Sequence, residues 1–316
     1  MQSSLAVAVD LGGTKVDAAL VDDTGRVLPG SRHRAPTGNG ATSEQLATSV
    51  RDAITRTLTS SARTDIARVT GVGIGAAGPM DIAGGLVSPL NLPVWRGFPL
   101  QALVADTVHV TVPDVPVTMR MDGLCITLAE HWVGAARGYD NVMGMIVSTG
   151  VGGGLILAGR TVPGPTGNAG HIGHIEAGGF DDPCACGGIG CVEAVASGPR
   201  TVAWANAQGW QGSTGEELAA AFAVGEEIAV RAVRRSGRAL GQAIASAASL
   251  VDLDVVAIGG GFSHVSQTLF DEARAAVAER HQFDYVTRLK IVPSALSGDG
   301  PLVGAAALVH RSEMVR

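Results

Sequence analysis

Apolar stretches that end in glycine recur along the chain. In LAVAVDLGGTKVDAALVD, residues 5–22, alternating valine and alanine predict a buried strand, a Gly-Gly turn and a second strand that ends at the turn of residues 22–25. The segment VMGMIVSTGVGGGLILAGR repeats this pattern of strand, glycine-rich turn and strand. In VDLDVVAIGGGFSHVSQTLFDEARAAVAERH, a strand ends in glycines that lead into a helix. Three strand ends therefore carry a glycine-rich turn.

These three turns have the features of phosphate-binding turns. Backbone N–H groups of glycine approach phosphate oxygens without hindrance from a Cβ atom, and a following helix N-terminus adds a favourable partial charge. A single Gly-Gly turn is more often a hairpin or packing turn, but three across both halves of the chain predict a nucleotide held between two lobes. The turns lack the Gly-Lys-Ser/Thr ending of a Walker loop and the spaced dinucleotide fingerprint. The residues expected at ATP and Mg²⁺ are Asp10, Gly12, Gly13, Thr14, Lys15, Thr149, Gly150, Gly152, Gly259 and Gly260.

Asp10 lies where the first strand meets its turn. A carboxylate in that position can hold hydrated Mg²⁺ against the β- and γ-phosphates of a nucleotide. The alternative is a turn-forming aspartate that hydrogen-bonds to its own backbone.

Three of the four cysteines and two histidines fall within residues 167–193, GNAGHIGHIEAGGFDDPCACGGIGCVE. Cys184, Cys186, Cys191 and His174 supply the three thiolates and one imidazole that suit tetrahedral structural zinc. The alternative is a glycine-rich loop with free or disulfide-bonded cysteines. Cys184 and Cys186 are too close in sequence to bridge comfortably, and the N-terminus lacks the basic start and cleavage site of a secretory signal. A reduced, cytoplasmic zinc protein is the expectation.

Composition limits the classes of function. The chain has 316 residues, of which 46% are hydrophobic and 16% charged, enough for two domains and a substantial core. Glycines and charges interrupt every apolar run, so no membrane span is expected. A net charge of -6 gives no general electrostatic reason to bind nucleic acid.

Five motifs together resemble the ROK family of sugar kinases and sugar-responsive repressors: DLGGTK, GIGAAGPMD, STGVGGG, GHIGH with CACGGIGCVE, and AIGGG. Their order and spacing cover essentially the whole chain. The resemblance implies an actin-like ATPase (ribonuclease H-like) fold of two α/β lobes with ATP in the cleft. The small lobe would take residues 1–118 and 297–316, and the large lobe, with a structural zinc, residues 119–296. A homodimer is also implied.

The resemblance also implies a reaction and the residues that carry it. The γ-phosphoryl group of ATP, with Mg²⁺, would pass to a hydroxyl of a small sugar-like substrate. Asp122, followed by Glu130 at the family spacing, matches the catalytic base, although alone it would be an ordinary helix N-terminal aspartate. Gly75, His174 and Glu193 match positions at the sugar, and His174 would bind zinc as well.

Two positions depart from the family pattern. Met121 stands where the family has asparagine before the catalytic aspartate, and His171 stands where it usually has glutamate three residues before the zinc histidine. Each exchange changes a polar partner for a sugar hydroxyl, and an unmatched buried hydroxyl costs about 1–3 kcal/mol. We therefore expect a modified acceptor, such as an amino sugar or a carbasugar cyclitol, rather than plain glucose.

Two other functions stay open. Repressors of the family carry a helix-turn-helix before the DLGGTK motif, and nine residues precede Asp10 here, which disfavours DNA binding. A non-catalytic sugar-binding protein would fit Met121 and His171, but retention of Asp122 argues for turnover. An ordinary glucokinase is a further alternative.

Overall fold

A computed structural model describes residues 3–315. Within that range the chain forms twelve β-strands: Leu5–Leu11 (β1), Lys15–Asp22 (β2), His33–Pro36 (β3), Val69–Ala76 (β4), Met80–Asp81 (β5), Leu86–Val87 (β6), Val117–Met121 (β7), Val142–Val147 (β8), Val151–Leu157 (β9), Arg160–Thr161 (β10), Val255–Gly259 (β11) and Lys290–Pro293 (β12).

The same residues form eleven α-helices: Ser43–Ser60 (α1), Arg63–Ile66 (α2), Leu100–His109 (α3), Asp122–Trp132 (α4), Val192–Ala196 (α5), Gly198–Ala207 (α6), Gly215–Ala223 (α7), Glu227–Val251 (α8), Gln267–Ala278 (α9), Asp284–Thr287 (α10) and Gly300–His310 (α11). Short 3₁₀ helices include Ile172–His174 and Gly261–His264. Among the described helices, none combines the length and the apolar character that crossing a bilayer requires.

The chain divides into two compact units. The first contains residues 3–137, 160–169 and 298–315, and the second contains residues 138–159 and 170–297. Strand β7 and helix α4 therefore group with the N-terminal residues, whereas the boundary expected at residue 118 would assign most of β7 and all of α4 to the other lobe.

The first unit has a sheet in the order β3-β2-β1-β4-β7. Strands β1 and β2 are antiparallel, while β4 runs parallel to both β1 and β7. Helix α11 packs closely on this sheet and on α4, because a Cβ atom at Gly73 of β4 would meet the backbone of Ala305, and one at Gly304 would meet the backbone of Cys125. Helix α1, in the same unit, begins at a capping box made by Thr42 and Gln45.

The sheet of the second unit includes the order β9-β8-β11-β12, in which β8 and β9 are antiparallel and β8, β11 and β12 are parallel. The long helix α8 packs its small and apolar residues into the core of this unit and ends at Asp252, whose φ of 52° gives a left-handed cap.

The two sheets repeat one arrangement. The order β2-β1-β4-β7 in the first unit corresponds to β9-β8-β11-β12 in the second, with the same directions of the strands. In parallel sheets, ligands bind beyond the carboxyl ends of the strands. In each unit, residues that the sequence analysis predicts at a ligand lie at this edge.

Candidate functional site

Three neighbouring strands of the first unit bring predicted site residues to one edge. Asp10 lies near the end of β1 and is paired in register with Gly75 near the end of β4, and Asp122 follows the last residue of β7. A Cβ atom at Gly75 would lie 3.7 Å from Asp10 Oδ1 and 3.3 Å from Cys125 Sγ, so the absence of a side chain there keeps this edge open. The structure therefore brings Asp10, Gly75 and Asp122 together.

Asp10 is in an unusual electrostatic environment. Burial raises the pKa of Asp10 to about 7, and the negative charges of Asp122 and Asp17 act in the same direction. Lys15 and Arg32 oppose this shift. A cation that binds beside a carboxylate with such a pKa stabilises its ionised form.

Asp122 is the first residue of α4, and its Oδ1 accepts a hydrogen bond from the Gly123 N–H at 2.7 Å. The N-terminus of a helix favours the ionised carboxylate and fixes its place. Met121, by contrast, has a side chain that is only 2% exposed and packs in the hydrophobic core of the first unit. Glu130 is also buried and accepts a hydrogen bond from the Ala135 N–H at 2.7 Å, beyond the end of α4.

The turn between β1 and β2 is tightly held. Gly12 N–H donates to the Lys15 carbonyl at 2.9 Å, and Thr37 Oγ1 donates to the Gly12 carbonyl at 2.9 Å. Thr14 accepts from the Thr37 N–H at 2.9 Å. Gly13 lies against the side chain of Asn91, which leaves no room for a Cβ atom.

Next to this turn lies a charged network that sequence reasoning missed. Asp17, the third residue of β2, is only 2% exposed and binds Arg34 through both carboxylate oxygens at 2.8 Å each. Arg32 Nη2 donates to Asp17 Oδ2 at 3.1 Å, while its Nη1 donates to Asp299 Oδ1 at 2.8 Å. The only sequence signal was an acidic residue inside an otherwise apolar strand.

In the second unit, the turns after β8 and β11 are neighbours, because these strands pair directly. Residues Ser148, Thr149 and Gly150 connect β8 to β9, and Gly259 ends β11. Gly260 has a φ of 95°, and a Cβ atom there would meet the backbone of Val147. Only glycine suits both the dihedral angle and the close approach. Gly152 lies within β9 and is not part of the turn.

A cavity of about 360 Å³ opens beside these two turns, entirely within the second unit. Its lining mixes polar and apolar groups and includes Thr149, Pro199, Thr214, Gly261 and Phe262. A cavity next to two glycine-rich turns is suited to a ligand with both an apolar ring and phosphate groups.

The predicted zinc ligands form one cluster. The ligand atoms of His174, Cys184, Cys186 and Cys191 all lie within 4.8 Å of one another. His174 Nδ1 is 3.7 Å from Cys184 Sγ, and Cys186 Sγ is 3.7 Å from Cys191 Sγ. Tetrahedral zinc with Zn–S bonds of about 2.3 Å places two sulfurs about 3.8 Å apart. These four residues therefore fit a zinc ion, and within residues 3–315 no cysteine forms a disulfide.

His171 and Glu193 lie near this cluster. The rings of His171 and His174 meet edge to face with centroids 5.1 Å apart. Burial lowers the pKa of His171, His174 lowers it further, and Glu193 opposes the shift. Glu193, in the first turn of α5, accepts a hydrogen bond from the Val151 N–H at 2.9 Å. With Nδ1 of His174 facing the thiols, Nε2 is the ring nitrogen left for another partner.

Comparisons with known proteins find similar sugar kinases. The model of the ROK family matches residues 6–312. An N-acetylmannosamine kinase of Yersinia pseudotuberculosis is 31% identical over 97% of this chain and 98% of its own length. A glucokinase of Thermotoga maritima is 28% identical over 96% of each chain. The crystal structure of a ROK family glucokinase from Streptomyces griseus, in complex with glucose and AMPPNP, has a TM-score of 0.82 at 30% identity and covers 98% of this chain and 100% of that chain.

The structural likeness settles the fold. With a TM-score of 0.82 over 98% of the chain, the α/β class and the actin-like ATPase fold expected from the sequence are confirmed.

Proposed function

Because this chain belongs to the ROK family, we propose that it is an ATP-dependent carbohydrate kinase, which transfers the γ-phosphoryl group to a hydroxyl of a hexose-like acceptor. The observation that carries the proposal is the pair of carboxylates, Asp10 and Asp122, at the ends of β1 and β7 on either side of β4. Phosphoryl transfer asks the protein for a base at the acceptor hydroxyl and for positioning of charged phosphates. Of the two carboxylates at this sheet edge, Asp122 would act as the base and Asp10 would help to position the charged phosphates.

Asp122 is the proposed general base. Its position at the start of α4 orders the carboxylate, since Oδ1 is held by the Gly123 N–H. A base must come within hydrogen-bond reach of the acceptor hydroxyl and take its proton as the phosphoryl group transfers. The helix N-terminus favours the carboxylate form that such a base needs.

Asp10 would hold the magnesium that accompanies ATP. A carboxylate whose pKa is raised to about 7 by burial and by two neighbouring carboxylates is relieved by a divalent cation, and this is the fit between the residues and the ion. When bound, magnesium neutralises charge on the β- and γ-phosphates. The Gly13 and Thr14 N–H groups of the turn between β1 and β2 and the Lys15 ammonium would bind phosphate oxygens directly.

The second unit would hold the rest of the nucleotide. The Thr149–Gly150 turn and the Gly259–Gly260 turn offer backbone N–H groups to phosphate, and the 360 Å³ cavity beside them accepts the nucleoside. Phe262 and Pro199 supply apolar surface for a purine ring, and Thr214 supplies a hydroxyl.

Zinc would act as a structural ion. Four protein ligands leave no open coordination position, which is the arrangement of structural sites. The bound ion would order residues 174–191, the segment that leads directly into α5 and Glu193. Thiolate ligands require reduced cysteines, which supports the expected cytoplasmic location.

The proposed acceptor is a modified sugar, an amino sugar or a carbasugar cyclitol. Its binding would use His171, the Nε2 atom of His174, Glu193 and Asp122. Met121 contributes no polar group, because it is apolar and packs in the core. His171 has one donor and one acceptor where a carboxylate would accept two hydrogen bonds. Because the chain is similar to both a glucokinase and an N-acetylmannosamine kinase, the assay must include both glucose and amino sugars.

The test is release of ADP by the zinc-loaded protein with MgATP and a panel of glucose, amino sugars, N-acyl hexosamines and cyclitols. We expect acceptor-dependent release that is fastest with a modified acceptor. A clear preference for glucose would refute the acceptor proposal and leave the kinase proposal intact. No release with any acceptor, from a folded protein that binds ATP, would favour a non-catalytic sugar-binding protein.

Asp122→Ala tests the base. We expect a loss of at least a hundredfold in kcat, in line with the usual contribution of general base catalysis, about 10²–10⁴-fold. Asp284→Ala is the matched control, because Asp284 is likewise the first residue of a helix, α10, but is exposed and belongs to no candidate site. Unchanged kcat in Asp122→Ala would remove Asp122 as the base.

A further inference from the structure

The turn between β8 and β9 depends on a side chain from elsewhere in the chain. Glu193 Oε2 accepts a hydrogen bond from the Val151 N–H at 2.9 Å, directly after the turn residues Thr149 and Gly150. A Cβ atom at Gly150 would lie 2.6 Å from the same oxygen. Glycine at position 150 therefore makes room for the carboxylate that holds the turn.

The other side of the turn is also fixed. Ser148 N–H donates to the Gly150 carbonyl at 2.9 Å, and the Ser148 carbonyl accepts from the Gly198 N–H at the start of α6 at 2.8 Å. Two consecutive helices, α5 and α6, thus bind the two ends of one turn. The contact made by α5 uses a side chain and can be removed by substitution, whereas the contact made by α6 uses only backbone atoms.

The position of Glu193 is determined in turn by the zinc-binding segment. Cys191, a zinc ligand, immediately precedes α5, and its carbonyl accepts from the Val195 N–H at 3.2 Å. Val192 N–H donates to the Ile175 carbonyl at 3.0 Å, one residue after the ligand His174. The backbone around Glu193 is therefore held on both sides by residues next to zinc ligands.

We propose that Glu193 is a positioning residue for the nucleotide: one of its carboxylate oxygens holds the β8–β9 turn in its phosphate-binding shape, while the other serves the acceptor. This inference rests on the proposed function for the identity of the ligands. It assigns to Glu193 a second role, because a residue expected at the sugar also orders a turn expected at the phosphates. A charge-assisted hydrogen bond from a backbone N–H is among the stronger kinds of hydrogen bond in proteins.

The experiment compares Glu193→Ala with Glu193→Gln in the full-length, zinc-loaded protein. Two quantities are measured without turnover: amide hydrogen exchange of the peptide that contains Val151, and the affinity for AMPPNP by calorimetry. We expect Glu193→Ala to speed exchange at Val151 and to weaken AMPPNP binding about tenfold. Glu193→Gln keeps an oxygen that can accept from the Val151 N–H, so both quantities should return most of the way to the wild-type values.

The controls separate the turn from general damage. Glu227→Ala removes a first-turn glutamate from α8 of the same unit, which is exposed, and should change neither quantity. Gly150→Ala leaves Glu193 in place but introduces a methyl group against Oε2, so it should reproduce the exchange and binding defects of Glu193→Ala. If Glu193→Ala fails to fold, unchanged exchange at Val151 in Gly150→Ala would still overturn the inference.

The outcomes are distinct from those of the kinase assay. Unchanged exchange at Val151 and unchanged AMPPNP affinity in Glu193→Ala or Gly150→Ala would overturn the inference, even if the protein is a sugar kinase. Equal defects in Glu193→Ala and Glu193→Gln would also overturn it, because a lost charge and not a lost acceptor would then be responsible. Faster exchange and weaker binding, restored by glutamine, would support it even in a protein that phosphorylates none of the sugars.

Discussion

Two hairpins occupy equivalent places in the two units and are supported in different ways. The β1–β2 hairpin and the β8–β9 hairpin each contain an antiparallel pair beside a parallel strand, and each has a glycine-rich turn. The first hairpin carries its own charges, Asp10, Lys15 and Asp17, on the strands themselves. Residues 147–152 of the second hairpin carry none, and their carboxylate, Glu193, comes from α5.

This difference shows that one backbone arrangement can obtain its electrostatics locally or from a distance. In the first hairpin the carboxylates lie on the strands themselves, and they are balanced by Lys15 and by Arg32 and Arg34, next to and on the adjacent strand β3. In the second, the proposed support of the turn comes from α5, a helix that directly follows the predicted zinc ligand Cys191. Loss of zinc should therefore disturb one hairpin and spare the other.

The first prediction has the largest expected effect: removal of a zinc ligand should affect the two hairpins differently. We expect Cys191→Ser to bind no zinc tightly and to lower the free energy of unfolding on the order of 5 kcal/mol, because the binding energy of structural zinc contributes directly to folding. Hydrogen exchange should rise at residues 148–151 and stay unchanged at residues 11–15. Zinc content, thermal unfolding and peptide-level exchange measure these effects.

Cys125→Ala is the matched control for zinc content, since Cys125 is buried in α4 and lies outside the cluster. It should retain one zinc per chain. Equal increases of exchange in both hairpins of Cys191→Ser would show that the zinc cluster supports the whole molecule and that the contrast between the hairpins is wrong.

The second prediction removes the carboxylate of the first hairpin. Asp10→Asn should lower kcat roughly a thousandfold at saturating MgATP, because a neutral amide binds the cation that neutralises the phosphates far more weakly than a carboxylate does. Asp23→Asn, an exposed aspartate in the turn after β2, should keep full activity. Turnover of Asp10→Asn within tenfold of the wild type would place the cation on other residues.

Much of this arrangement could be predicted from the sequence because it is written in short motifs. Cys184, Cys186 and Cys191 lie within eight residues, and three thiols so close together in sequence favour binding to one common metal ion. The strand-turn-strand pattern around Asp10 is equally local. Parallel pairing of β1, β4 and β7 then brings Asp10, Gly75 and Asp122 to the same edge.

The features that the sequence did not reveal are contacts between distant segments. The bond from Val151 to Glu193 joins residues 42 positions apart, and no periodicity predicts it. Arg32 and Arg34 lie on or next to a short edge strand and read as solvated charges until their pairing with the buried Asp17 is seen. The run of glycines after Thr149 also has two uses: Gly150 shapes the turn, whereas a side chain on Gly153 of β9 would meet Ile172, so that glycine provides close packing.

The third prediction concerns the pH dependence of stability. Burial raises the pKa of Asp10 from 3.8 to about 7 in the folded protein, so the folded state holds this proton more strongly than the unfolded state. Between those pH values the free energy of unfolding should fall as pH rises, and the whole penalty is present above about pH 7. Asp10→Asn lacks this penalty.

In the zinc-loaded protein, without magnesium or nucleotide, Asp10→Asn should therefore be more stable than the wild type at pH 8, on the order of 3 kcal/mol, and the difference should vanish toward pH 4. Urea unfolding at several pH values measures it, with Asp23→Asn as the variant expected to follow the wild type. Parallel pH profiles for Asp10→Asn and the wild type would show that Asp10 has an ordinary pKa.

The smallest expected effect comes from Asp17. Burial would raise its pKa, but hydrogen bonds from Arg34 and Arg32 lower the pKa of Asp17 below its usual value of 3.8. Its stabilising contribution is thus present above pH 3.8 and is lost as pH falls through the lower folded pKa. Asp17→Asn should lower the free energy of unfolding at pH 7 by about 2 kcal/mol, below the usual loss for a buried pair because both arginines are partly exposed and regain water.

Asp52→Asn, on the exposed face of α1, should stay within about 0.5 kcal/mol of the wild type. The deficit of Asp17→Asn should also shrink in acid, in the opposite sense to Asp10→Asn, which gains its advantage as pH rises. If Asp17→Asn instead matched the wild type at every pH, the network in β2 would add no stability, and the first hairpin would depend on its backbone alone.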